Sequence, residues 1–347
     1  MSHLVPSTLP VATTLGKIDG AGAWLSALPS LIEEVRAEFG LALSSPLHGG
    51  SCSWVAPAEL PDGTPAILKI GWPHREMYGE PTALRAWDGH GAVRLLAHDP
   101  ARHALLLQRC QPGDELAASG APAEDRLRIG CGVLRQLWDA PGATKAAAPA
   151  ATEAAARGAT EAPAAAAAEA PAATHAKSAT AAQGATTGRL ERLDRVTAEW
   201  ADMVDERTAR LRPGYDPGLV AEGARLLREL PASARREVLL HGDFNPGNVL
   251  SSGSDWVAID PKPMIGDPAY DPWPLLEQID DPFAHPDPPI VLRRRLELLA
   301  QELALEAERI RWWAVARRVE MALWAADHGD VDGGGAVMRE ARTLADL

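Results

Sequence analysis

Residues 239–250 read LLHGDFNPGNVL, and a few positions further on residues 256–263 read WVAIDPKP. The 347-residue chain contains two asparagines, Asn245 and Asn248, and both fall in the first stretch. An apolar run, EVLL, delivers His241, Gly242 and Asp243 onto a turn marked by Pro246 and Gly247, after which NVL resumes as a strand. Asp243 and Asn248 therefore share one short loop. A second apolar run, WVAI, ends at Asp260, and Pro261 turns the chain out of it. Two carboxylates and an amide gathered at strand ends make an oxygen-rich site for a hard cation such as Mg2+, which takes few protein ligands and completes its shell with water and phosphate.

That donor set suits phosphoryl transfer, in which the protein contributes chiefly position and counter-charge. Asp243 is expected to accept the proton of an attacking hydroxyl or to orient it. Asn248 and Asp260 are expected to hold the metal. A neutral carbonyl oxygen at 248 ligates Mg2+ without adding another negative charge beside a triphosphate.

Composition narrows the field. With 46% hydrophobic and 23% charged residues, the chain has enough apolar material for one large or two medium domains. No apolar run approaches the length that spans a bilayer, and the N-terminus MSHLVPSTLP lacks a basic segment followed by a hydrophobic one, so a soluble cytoplasmic protein without a membrane partner is expected. A net charge of −13 argues against a nucleic-acid partner and is compatible with a cationic, hydroxylated small molecule, although it also serves solubility. Three cysteines, Cys52, Cys110 and Cys131, at scattered spacings suggest neither a disulfide framework nor a zinc site. Lysine occurs only at positions 17, 69, 145, 177 and 262, so a lysine kept inside an apolar strand, as at 69, asks for a compact point charge that arginine does not provide.

Along the chain, residues 22–40 have helical periodicity closed by Gly40. SWVAPAEL and TPAILKIG, joined by PDG, read as a hairpin, residues 74–91 as a helix, and AVRLLAHDP with HALLLQRC as a second hairpin. Beyond about residue 112 helical patterns dominate, in residues 123–140, 189–211, 216–230, 290–308 and 309–328, with EVLLHG, NVLSS and WVAIDP as isolated strand-like pieces. Residues 141–188 are alanine-rich, broken by Pro149, Pro163 and Pro171, with no large apolar side chain; they read as a disordered insertion with transient helix. The expected fold class is α+β and bilobal. A small N-terminal lobe, residues 1–110, carries an antiparallel sheet, one internal helix and a hinge at its end, and a mainly helical lobe, residues 111–347, follows, with a ligand cleft between them.

HGDxxxxN followed by a hydrophobic strand and Asp resembles the catalytic signature of the aminoglycoside phosphotransferases, which have a protein-kinase-like fold. EPTALRAWDGHGAVRLLAHD, LLLQR and WVAIDPKPMIGDPAYDPWPLL are most similar to the branch of streptomycin 6-phosphotransferases and aminoglycoside/hydroxyurea resistance kinases. The resemblance covers nearly all of the chain outside the alanine-rich insertion. It implies ATP and Mg2+ as cofactors and an aminoglycoside of the streptomycin type as acceptor. It also implies a strand lysine on the nucleotide phosphates, Lys69, paired with a helix glutamate, Glu80, with Glu76 as the rival. Gly49, Gly50, Ser51 and Ser53 of HGGSCS would cover the phosphates, against the plain alternative of a hairpin turn. Gln108 to Cys110 would form the adenine-facing hinge, and Asp267 or Asp271 could meet a cationic substrate, although helix capping at Asp-Pro steps explains both equally well. His241 is expected to brace the loop backbone rather than bind metal.

The loop residues Phe244, Asn245, Pro246 and Gly247 fall where relatives vary, which leaves the acceptor open: an amino sugar or another metabolite on the same fold is the alternative. A non-catalytic nucleotide-binding pseudokinase and a metal-dependent phosphohydrolase are the competing classes. The complete ionic set speaks against the first, and the single ligand cluster against the second. A monomer or weak dimer is expected.

Overall fold

The computed structural model describes residues 4–147 and 190–347. Helices α1 (Pro10–Leu15) and α2 (Ala21–Phe39) lead into a five-stranded sheet of β1 (Ala42–Leu43), β2 (Ser53–Glu59), β3 (Pro65–Gly71), β4 (Leu95–Asp99) and β5 (Ala104–Gln108), in the order β1-β2-β3-β5-β4. All neighbours in it are antiparallel. Gly40 stops α2 at φ +66, its N–H closing on Ala37 O, a left-handed cap that glycine adopts freely. Between β3 and β4 the expected helix divides into a 3-10 turn, Arg75–Gly79, and α3 (Glu80–Trp87).

The alternation of β3 and β5 positions the key lysine. Leu68, Ile70 and Leu106 point into an N-terminal core with Leu28, Ile32 and Val35 of α2. Lys69 stands in register with Leu105, on the opposite face, and Leu105 and Leu107 belong to the larger core that runs into the helical half. The strand period of two therefore turns Lys69 away from α2 and toward α3, whose Ala83, Leu84 and Trp87 join the same larger core.

Beyond Cys110 come β6 (Pro112–Glu115), α4 (Ala123–Asp139), α5 (Pro141–Ala147), β7 (Glu191–Arg192), α6 (Leu193–Leu211), α7 (Pro217–Ala232), β8 (Val238–Leu240), β9 (Val249–Ser252), β10 (Asp255–Ala258), β11 (Met264–Gly266), α8 (Pro272–Gln278), α9 (Pro288–Leu303), α10 (Ala307–Asp327) and α11 (Val331–Ala345). The strand pieces do not stand alone: they form two three-stranded sheets, β10-β9-β6 and β7-β11-β8. α10, with Trp313, Ala314, Val315 and Ala316 all buried, packs against α6, α7, α9 and α11.

Two helices depart from the sequence expectation. Residues 141–147, taken as the start of a disordered insertion, form α5, with Ala143 fully buried and Gly142 so close to α3 that a Cβ would lie 2.2 Å from Ala86 O. Small side chains bury little area, but they let two helices approach where larger ones would clash. The rest of that expected insertion, from residue 148, lies outside the described residues. α11 was not anticipated, because Gly333, Gly334 and Gly335 are poor helix formers. Gly334 is there for space: a Cβ would sit 2.1 Å from Tyr215 Oη and 2.5 Å from Ala322 O of α10.

Candidate active site

Lys69 Nζ donates to both oxygens of Glu80, at 2.7 and 2.6 Å, and to Asp260 Oδ1 at 2.5 Å. A β3 lysine, the first residue of α3 and the loop after β10 thus converge on one ammonium. Glu80 is sealed, its side chain 3% exposed, whereas the Asp260 side chain is 49% exposed and faces solvent with an oxygen that Lys69 does not take. Asp260 sits at φ +55, a left-handed conformation costly for a non-glycine residue and frequent at functional sites.

The stretch from His241 to Asn248 folds into a tight bracket around Asp243. Asn245 Oδ1 accepts from the N–H groups of Gly247 (3.0 Å) and Asn248 (3.2 Å), capping a 3-10 turn over Pro246–Asn248, while its Nδ2 donates to Asp243 Oδ1 at 3.2 Å. Asn248 Nδ2 donates to Asp243 O at 3.0 Å and approaches Oδ2 at 3.4 Å. Both asparagines therefore hold the one aspartate. The bracing role of Asn245 has a signal in its place two residues before Gly247, where a short side-chain acceptor closes an Asx turn. The N–H of Ile259 donates to Asn248 O at 2.9 Å, which sets Asn248 beside the segment that ends at Asp260.

His241 braces this loop, as expected. Its Nε2 donates to Ile259 O (3.0 Å) and its Nδ1 accepts from the Asp243 N–H (3.3 Å), so the ring is the neutral Nε2–H tautomer. Trp87, at the far end of the helix that begins with Glu80, stacks on the same ring at 6.4 Å. Gly242, at φ +83, passes so close to the next loop that a Cβ would lie 1.9 Å from Lys262 O, and the Lys262 N–H returns a hydrogen bond to His241 O at 2.8 Å. Only glycine fits there.

Asp267 and Asp271 do not take the substrate-facing place considered for them. Asp271 is fully enclosed and accepts from the N–H groups of His241 (3.0 Å) and Gly242 (2.9 Å) and from Trp138 Nε1 (3.2 Å). Asp267 is likewise buried, accepting from Trp313 Nε1 (2.6 Å), Arg309 Nε (2.7 Å) and the Ala269 N–H (3.1 Å). Their oxygens serve the scaffold: Asp271 supports the His241–Asn248 loop from behind, and Asp267 caps the turn that follows β11.

The 48–53 loop turns at Gly50 (φ +85) and enters β2 at the buried Ser53, with Gly49 exposed and Ser51 beside Cys52. Gln108 closes β5 with its N–H on Arg94 O at 2.9 Å, so that group belongs to the sheet and is not open to a base; Cys110 is buried just beyond it.

Charges reinforce the geometry. Partial burial opposes ionisation of Asp260, yet Lys69 overcomes it and holds that carboxyl down at about 2. For Lys69 burial likewise disfavours the charge, but Asp260 and Glu80 raise its pKa further than burial lowers it. Burial pushes Asp243 up, against the pull of Lys262, and pushes His241 down. Asp243 is thus a better proton acceptor than a surface aspartate, and His241 stays neutral. Among the described residues no group of three or more His, Cys, Asp or Glu side chains forms a metal cage. An ionised, half-exposed Asp260 with the neutral Asn248 amide alongside fits Mg2+, which needs one or two protein oxygens when phosphates and water supply the rest.

The choline kinase LicA of Streptococcus pneumoniae superimposes with a TM-score of 0.57 over 92% of this chain and 99% of that one at 13% identity, a likeness of fold alone. Fold and family relatedness together define a kinase-like small-molecule O-phosphotransferase. The model of the aminoglycoside/hydroxyurea antibiotic resistance kinases matches residues 43–194 and 191–329, and the chain belongs to that family. It is 32% identical to the streptomycin 6-kinase of Streptomyces glaucescens over 99% of this chain and 97% of that protein. It is 31% identical to the hydroxyurea phosphotransferase of Kitasatospora aureofaciens over 89% and 76%. No described helix is long and apolar enough to cross a membrane.

Proposed function

We propose that this enzyme transfers the γ-phosphate of ATP to a hydroxyl of a streptomycin-type aminoglycoside, acting in the cytoplasm as a monomer or weak dimer. Lys69 carries the reading: its ammonium gathers Glu80 and Asp260, 11 and 191 positions away in sequence, at one point between the sheet and the helical half. Residues 1–110 hold the nucleotide. Lys69, oriented by Glu80, meets its phosphates, the loop with Gly49, Gly50, Ser51 and Ser53 covers them, and the main chain around Cys110 meets the base. Residues 111–347 supply the transfer centre and the acceptor surface.

Asp243 accepts the acceptor hydroxyl's proton as the oxygen forms its bond to the γ-phosphorus. The bond from that phosphorus to the bridging oxygen breaks at the same time, and its electron pair leaves with ADP. Asn245 and Asn248 keep the carboxylate aimed, and His241 with Asp271 fixes the loop beneath it. Asn248 and Asp260 would hold Mg2+, which when bound neutralises phosphate charge and orients the triphosphate. Protein-derived counter-charge and positioning supply the remainder.

The net charge of −13 suits a polycationic acceptor, and the relatedness to streptomycin 6-kinase over nearly the whole of both chains supports streptomycin as the first acceptor to try. The test is ATP-dependent phosphorylation of streptomycin, other aminoglycosides, hydroxyurea and simple amino sugars, with the phosphate located by 31P NMR. A streptomycin monophosphate is expected. Transfer to an amino sugar or to hydroxyurea with none to streptomycin would replace the acceptor, and ADP release indifferent to any acceptor would overturn the reading.

A further inference from the structure

Lysine is rare in this chain, and Lys262, two residues past Asp260, has a setting unlike that of Lys69. Its backbone is locked to the catalytic loop by the hydrogen bond to His241 O and the close pass of Gly242. Its Nζ stands 3.5 Å from Asp243 Oδ2 and 3.5 Å from Glu76 Oε2, the latter on the 3-10 turn that precedes α3. The side chain is 26% exposed, so it is not sealed into the core. Its charge is also felt by Cys52 in the 48–53 loop and by His74, while Asp260 acts on it in turn. One cation therefore stands between the turn before α3 and the carboxylate proposed to face the acceptor. Where Lys69 is gripped at 2.5–2.7 Å by three carboxylate oxygens, Lys262 is held loosely by two. A loosely held ammonium reorients toward a new oxygen at little cost. In an arginine-rich chain, a compact charge with freely rotating donors suits a group that changes shape as it transfers.

We propose that Lys262 is a catalytic residue, its ammonium contacting the terminal phosphoryl group of the nucleotide and following it from the bridging oxygen to the acceptor. The proposal rests on the phosphotransferase reading of the site. Lys262 forms no bond and stays protonated throughout. It neutralises charge on the equatorial oxygens of the moving group, beside the carboxylate that takes the proton. Glu76 serves as its resting partner from the side of the sheet.

The discriminating measurement is nucleotide affinity by calorimetry with Mg2+ present, comparing ADP with the non-hydrolysable AMP-PNP, for wild type and Lys262→Met. A charge-assisted contact to the terminal phosphoryl predicts an affinity for AMP-PNP lower by about tenfold in the variant, with ADP affinity within about twofold of wild type. Turnover should fall by about a hundredfold, with Lys262→Arg recovering part of it. Equal losses for both nucleotides, or no loss for either, overturn the proposal, since a merely structural lysine would not tell the two apart. A wild-type protein that binds neither nucleotide overturns the phosphotransferase reading as well, whereas normal ADP and AMP-PNP binding with an unaffected Lys262→Met sinks the lysine assignment alone.

Discussion

Two buried charge clusters in this molecule have almost the same plan and opposite uses. In one, Lys69 joins a sealed Glu80 to a half-exposed Asp260. In the other, Arg207 of α6 joins Glu320, fully buried on α10, at 3.0 Å to Asp327, 24% exposed at the end of the same helix, at 3.1 Å. The second aspartate has its other oxygen taken by another arginine, Arg210 of α6, at 2.7 Å, whereas the first is 49% exposed and bound by Lys69 through Oδ1. Both clusters carry displaced pKa values: Asp260 held at about 2, and Glu320 pushed up by burial to about 7 against the attraction of Arg207. A perturbed carboxylate therefore does not by itself mark a site. What separates the two is access, since the unpartnered Glu320 Oε2 is sealed while Asp260 is half-exposed, together with the choice of cation: a compact ammonium in the cluster proposed to meet a phosphate, and a planar fork with several donors where two helices are pinned.

That contrast breaks most visibly under mutation. Lys69→Met should lower turnover by at least about a hundredfold, because it removes phosphate counter-charge. Arg207→Met should leave turnover per folded molecule near wild type and instead cost about 3 kcal/mol in urea unfolding, since it strands a buried glutamate. If either substitution acts in the other's manner, the division between working and structural clusters fails. Gly334→Ala should destabilise by about 1–3 kcal/mol, because the methyl meets the backbone oxygen of Ala322 as well as Tyr215 Oη, again without a change in nucleotide affinity.

The smallest effect is one of pH. Glu320 has a folded-state pKa of about 7 above its ordinary 4.5, so the folded protein holds a proton there that the unfolded chain releases. Its stabilising share is complete below about 4.5 and is lost as pH rises through about 7. Melting curves of Glu320→Gln against wild type between these limits should converge toward the acid end and separate toward neutrality, the variant being relatively more stable there. In the cleft the sign concerns activity: Asp243, raised by burial, must be ionised to take a proton, so kcat/KM should fall on the acid side at a pH above that of an ordinary aspartate.

The same contrast separates what was legible in the sequence from what was not. The dodecamer was readable because its chemistry demands particular residue types in a chain that otherwise avoids asparagine, and helices such as α2, α4, α6 and α7 because their apolar periods are clean. α5 and α11 were not, because both depend on close approach at Gly142 and Gly334, which composition alone presents as low complexity or as helix breaking. Asp267 and Asp271 looked open to a substrate because burial is a tertiary property; only the fold supplies Trp138, Arg309 and Trp313, from positions 42 or more residues away, to occupy their oxygens. Lys262 was visible as a residue, but not its distances to Asp243 and Glu76, which arise from two loops and a turn meeting across the cleft.

The most direct test of the transfer centre replaces the one carboxylate that both asparagines hold. Asp243→Asn should reduce streptomycin phosphorylation by about a thousandfold, within the range for loss of a positioned base, while AMP-PNP binding stays near wild type. Transfer at the wild-type rate by the Asp243→Asn protein would contradict the assignment outright.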